Sequence, residues 1–185
     1  MKKRTLFLSI LFSFFYLLPS SFAEWKAAPG DLFWIDVPDG WSWQSDAASA
    51  TITSPTGHQV VHIRYSKTEG LDTEEEARAR VDEAREARRY ELADRGGKTI
   101  LKVERKVDGV YGLQTGFLVP TREALNQATS IVFWHGGYLF DVYFEAPREF
   151  LRMKMESIMD TLRFQEPPAS EEGIADELIS EPGAA

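Results

Sequence analysis

Between Thr99 and Glu145 the chain holds four strand-length segments punctuated by hairpin turns, and this run restricts the possible folds more than any other feature. Thr99 to Val107 alternates, with Leu101, Val103 and Val107 on one side and Lys102, Glu104 and Lys106 on the other. Asp108-Gly109 follows, a dipeptide suited to the positive φ of a two-residue hairpin turn. Val110 to Val119 sets Tyr111, Leu113, Phe117 and Val119 on one side, while Gly112 and Gly116 leave gaps on the other. Ala128 to Trp134 is apolar on both sides, and His135-Gly136-Gly137 turns it back. Tyr138 to Glu145 then puts Leu139, Asp141, Tyr143 and Glu145 on a single face. Strands that are apolar on both faces are central strands covered above and below.

Upstream, Phe33, Ile35 and Val37 alternate with Trp34 and Asp36. Pro38-Asp39-Gly40 reverses the chain, and Trp41 and Trp43 fall on one side of the next extended piece. Ala50 to Ser54 and Gln59 to Tyr65, joined by Pro55-Thr56-Gly57, continue a meander. A long helix begins at Asp72 or Thr73, each followed three residues later by Glu in a capping-box pattern, and stops at Gly96-Gly97. Its apolar stripe is thin: Ala77, Val81, Ala84 and Leu92. The charged remainder reads as a solvated helix lying lightly on a sheet, or as an arginine docking face of Arg78, Arg85, Arg88 and Arg89. A second helix is expected from Pro147 to Leu162, with Phe150 near its start and Leu151, Met155, Ile158, Met159 and Leu162 as its core stripe. The fold class is α+β: an antiparallel β-sheet sandwiched by helices, one long in the N-terminal half and one at the C-terminal end.

The ends of the chain have other chemistry. Lys2-Lys3-Arg4, the uncharged run Leu6 to Leu18 and Ser21-Phe22-Ala23 read as a signal peptide over 1–23, cut after Ala23. Its apolar run is too short for a comfortable bilayer span, so no membrane insertion is expected after cleavage. Residues 24–31 read as a lead-in, 32–164 as a single domain and 165–185 as an acidic tail expected to be disordered from its composition. The tail carries Glu166, Glu171, Glu172, Asp176, Glu177 and Glu181 and no basic residue, with Ile174, Leu178 and Ile179 as a weak amphipathic turn. The chain has no cysteine, which removes disulfides, thiol catalysis, cysteine metal sites and lipidation. A periplasmic or secreted protein resting on its own core fits best. The formal charge of −8 becomes −11 without Lys2, Lys3 and Arg4, which disfavours nucleic acid as a partner.

Motifs for catalysis are sparse. His135-Gly136-Gly137 shares its letters with oxyanion-hole loops, yet a hairpin needs its glycines there. His58 and His62 are four apart but straddle a turn and a strand, a poor metal geometry. Asp141 and Glu145 share a strand face and could serve as paired carboxylates. Nothing calls for a cofactor. The order strands, helix, strands, helix, together with Val37-Pro38-Asp39-Gly40-Trp41, an aromatic closing strand and Leu162-Arg163-Phe164, resembles the PsbP/Mog1/DcrB-like group of small domains. That resemblance implies an antiparallel sheet between helices and a binding, chaperone or assembly role, and it transfers no site residue. The leading expectation is a non-catalytic periplasmic module that docks an envelope protein through an aromatic patch of Trp34, Trp41, Trp43 and Trp134. A small-ligand or lipid carrier would instead hold a pocket lined by Phe117, Phe133, Phe140 and Met155. A cell-envelope enzyme would need two of Asp141, Glu145 and His135 in one cleft.

Overall fold

A computed structural model describes residues 24–71, 73–122, 124–147 and 152–167, with the backbone alone at 152–154. The predicted signal peptide, the cap at Asp72, Phe150 and Leu151 of the second helix, and the tail beyond Pro167 lie outside the described residues. The strands are β1 (Glu24–Ala27), β2 (Trp34–Val37), β3 (Ser42–Ser45), β4 (Ser49–Thr53), β5 (Val60–Lys67), β6 (Lys98–Val107), β7 (Val110–Pro120), β8 (Leu125–His135) and β9 (Tyr138–Pro147). Helix α1 spans Glu74–Asp94 and helix α2 spans Arg152–Asp160. Seven strands form one antiparallel sheet in the order β3-β4-β5-β9-β8-β7-β6, and β1 pairs with β2 apart from it.

The hairpins follow from local chemistry. Asp108 and Gly109 take φ of 47° and 82°, and Gly136 and Gly137 take 58° and 83°, the doubly positive pattern that matches the twist of the flanking strands. The register they set puts alternate residues of β9 on opposite faces. Phe140, Val142, Phe144 and Ala146 enter the main core with Val61 and Ile63 of β5, Met155, Ile158 and Met159 of α2, and Phe33, Ile35 and Val37. Leu139, Asp141, Tyr143 and Glu145 face the other way, toward α1. Helices therefore cover both faces, as the sequence predicts. Among the described residues no helix is long and apolar enough to cross a membrane.

Three expectations change in detail. The lead-in is part of the folded body, because Glu24–Ala27 pairs along β2 and Ala28 is buried in the main core. The Trp-rich stretch is not a hairpin: β2 leaves with β1, and β3 joins the large sheet through β4. Pro147 does not open a helix but ends β9, opposite Asn126. At Gly112 and Gly116 the strands approach closely: a Cβ would meet Phe133 Cβ at 3.1 Å on Gly112 and Leu101 Cβ at 3.2 Å on Gly116. Neighbouring strand side chains fill those gaps.

Candidate functional site

Helix α1 starts where its sequence says it should. Thr73 accepts from the Glu76 N–H at 3.2 Å and Glu76 Oε2 accepts from the Thr73 N–H at 2.9 Å, a complete capping box. The helix lies over β6, β7 and β8, and among the described residues the same face of β3, β4 and β5 is left open, with Gln44, His62 and Arg64 exposed. It meets the sheet through two small apolar clusters. Val81 packs with Leu113 and Val132, and Leu92 packs with Phe117, Val119, Ala128 and Tyr143.

Arg88 sits between those clusters with 6% of its side chain exposed. A guanidinium at that depth requires partners. Its Nη2 donates to Asp141 Oδ2 at 2.5 Å and its Nη1 to Glu91 Oε2 at 2.7 Å. The ring of Tyr143 lies beneath it, 4.9 Å from centroid to guanidinium carbon. Arg64 of β5 donates to the same Asp141 oxygen at 2.8 Å. Asp141 Oδ1 and Arg88 Nε are buried with no hydrogen-bond partner, so the pair is crowded on one side and unsatisfied on the other. Burial pushes the Asp141 carboxyl up to about 6, with Arg64 pulling it down and Glu91 adding to the rise.

Further along β9, Glu145 is treated differently. Burial favours its neutral form, but Tyr143 at 2.5 Å, Asn126 at 2.7 Å and Arg95 at 3.0 Å all donate to it and leave its pKa lowered. The Tyr143 phenol is pushed up by burial and by its bond to Glu145. Asp141 and Glu145 thus serve as anchors for α1.

Among the described residues, clefts open on both sides of α1. The larger, 570 Å³, runs between the helix and β5; Arg80, Glu83, Ala87 and Glu91 form its wall, and Arg64 and Asp141 its floor. It continues into a 320 Å³ hollow over Ser49, Thr51 and His62 that shares Arg64, Arg88 and Glu91. The second cleft, 350 Å³, opens at the start of α1 and is lined by Leu71, Ala77, Val81, Val110, Tyr111 and Trp134.

The four tryptophans do not come together. Trp41 and Trp43 are half-buried against the main core, on the α2 side, where Trp43 meets the edge of Phe33 at 6.3 Å. Trp134 is on the α1 side, lines the second cleft and donates its indole N–H to Thr68 Oγ1 at 2.8 Å. Trp34 is half-buried on β2 and exchanges backbone hydrogen bonds with Arg163. The carrier pocket is not built: Phe133, Phe140 and Met155 are packed in the main core and Phe117 is in a cluster on the opposite face. The catalytic candidates are also separated. His135 stacks on Phe164 at 3.9 Å and borders the second cleft, Asp141 floors the first, and Glu145 is held by its three donors. His62 lies 3.3 Å from Thr51 Oγ1 across the strand pair.

Arg88 is the residue that sequence reasoning placed among solvated arginines and that the structure places inside. The signal was present: Ala77, Val81, Ala84, Arg88 and Leu92 fall at steps of three and four, a single helical stripe.

No protein-family model matches this sequence, and no curated protein resembles it at a significant level. Solved structures do resemble it. A Bacteroides thetaiotaomicron protein matches with a TM-score of 0.57 at 14% identity over 78% of this chain, which spans about half (49%) of that protein. The cyanobacterial PsbP of Synechocystis matches with a TM-score of 0.56 at 13% identity, covering 79% of this chain and 94% of PsbP. LpqN of Mycobacterium tuberculosis matches with a TM-score of 0.51 at 14% identity, covering 75% of this chain and 84% of LpqN. At these identities the finding is a shared fold. The chain has the PsbP-like architecture that the sequence resemblance implies.

Proposed function

We propose that this chain is a non-catalytic binding module, exported to the cell envelope by residues 1–23, that docks a protein partner along the cleft between α1 and β5. The observation that carries this reading is the cleft itself: 570 Å³ of open space beside an uncovered strand face, lined by charges already committed to one another. Arg64, Arg80, Glu83 and Glu91 keep roughly half or more of their side chains in solvent, at 56%, 45%, 68% and 52%. Alternating charges of this kind set the register and choice of a partner chain, and half-exposed arginines are frequent binding anchors. The likeness to LpqN, a protein described as involved in cell envelope biogenesis, agrees with an envelope setting. Trp41 and Trp43 supply a second candidate anchor on the other side of the sheet, since both are half-buried beside the Pro38–Gly40 turn.

The test is site-specific photocrosslinking in the native envelope, with the reactive group placed in turn at His62, Glu83, Trp41 and Lys106. One discrete adduct from His62 and Glu83, absent from Lys106, is the expected result. Adducts from Trp41 alone would move the docking surface to the tryptophans. Adducts from none of the four would overturn the reading.

A further inference from the structure

The second cleft, at the start of α1, lies apart from the α1–β5 cleft and has its own charged border. Its lining is largely apolar, and Arg78 covers its rim with the guanidinium 4.5 Å above the Tyr111 ring. From there Arg78, Arg85 and Arg89 run along α1, beside Lys102 and Lys106 on β6, where Lys106 pairs with Tyr111 in register. Glu74, Asp82 and Glu86 pair with Arg78, Arg85, Arg89 and Lys102, and with Glu104 on the same strand face the strip keeps one unbalanced positive charge in a chain of net charge −8. Near the end of the described residues, three positions before Pro167, Phe164 packs on the main core at the end of the sheet where this cleft opens. Phe164 stacks on His135, which lines the cleft, and donates its N–H to Asp108 Oδ2 at 2.9 Å, one hairpin turn from Val110 in the same lining.

We infer that the acidic segment from Glu171 to Glu181 of this same chain docks across this face, seating Ile174, Leu178 and Ile179 in the Trp134–Tyr111 cleft and its carboxylates on the arginine–lysine strip. Six residues lie between Pro167 and Ile174, and the seven steps they make reach about 25 Å when extended. Ile174 and Leu178 are four apart with Ile179 beside them, the spacing with which a short amphipathic turn fills an apolar groove. A tether this short gives an effective concentration on the order of millimolar, so weak contacts suffice to populate the docked form. The inference is independent of the α1–β5 cleft and stands or falls without it.

The absence of native cysteine makes the experiment direct. Full-length protein carrying Glu181→Cys is spin-labelled, and paramagnetic broadening of its amide and indole signals is recorded by NMR. Docking predicts loss of intensity at Trp134, Tyr111 and Arg78 but not at Trp41. Raising the salt to 1 M, where the Debye length falls to about 3 Å, should restore much of it, as should Ile174→Ser/Leu178→Ser/Ile179→Ser. A dispersed, folded spectrum with no loss at those three positions overturns the inference. So does a loss seen only when spin label and isotope sit on different molecules, which would assign the cleft to a second copy.

Discussion

The ionisation of Asp141 sets two large effects against each other, and its sign can be measured. Burial penalises the charge, while Arg64 and Arg88 stabilise it at 2.8 and 2.5 Å. Burial wins, so the folded-state pKa of about 6 lies above the ordinary 3.8. Folding then binds the proton more tightly than the unfolded chain does. The stability contributed by this group is fully present below pH 3.8 and is lost as the pH rises through 6. At 1.36 kcal/mol per pH unit, the loss is about 3 kcal/mol. Asp141→Asn keeps the shape, removes the titration and isolates the group from every other carboxylate. The assay is urea unfolding of both proteins between pH 3.5 and 7.5, extrapolated to water. Wild-type stability relative to Asp141→Asn should fall by about 3 kcal/mol across that window and level off above the upper pKa. A difference that is flat, or that rises with pH, would refute the reasoning and show that the two guanidinium groups outweigh burial.

Removing only Arg88, as Arg88→Met, leaves Asp141 buried beside Arg64 alone and should cost about 3–5 kcal/mol at neutral pH by urea unfolding. Adding Asp141→Leu to that variant removes the stranded charge and should recover most of the loss, because a buried pair replaced by apolar groups is often neutral. Leu162→Ala empties a fully buried position behind α2 and should cost about 2–5 kcal/mol, read as a lowered urea midpoint at constant m-value.

Much of this architecture could be read in the chain because its causes are local. The Asp108-Gly109 and Gly136-Gly137 turns state their own conformation, and alternation between them separates the two faces of β6 to β9. The capping box at Thr73 marks the start of α1. Glu24–Ala27 escaped because four residues carry little periodicity and their partner strand is read only once the chain has folded back. Arg88 escaped for a different reason. Its position belongs to the buried stripe, but its residue type argues for water, and only a partner 53 residues away reverses that preference.

Residue order alone therefore determined the layers: turn residues and apolar periodicity act over a few positions and need no distant partner. Tertiary structure decided which charges are structural and which remain available. It put Arg88 and Asp141 inside, held Glu145 with three donors, and divided the tryptophans between opposite faces of the sheet. Burial and ion pairing depend on how strands far apart in the chain are brought side by side, and no short stretch of sequence contains that information.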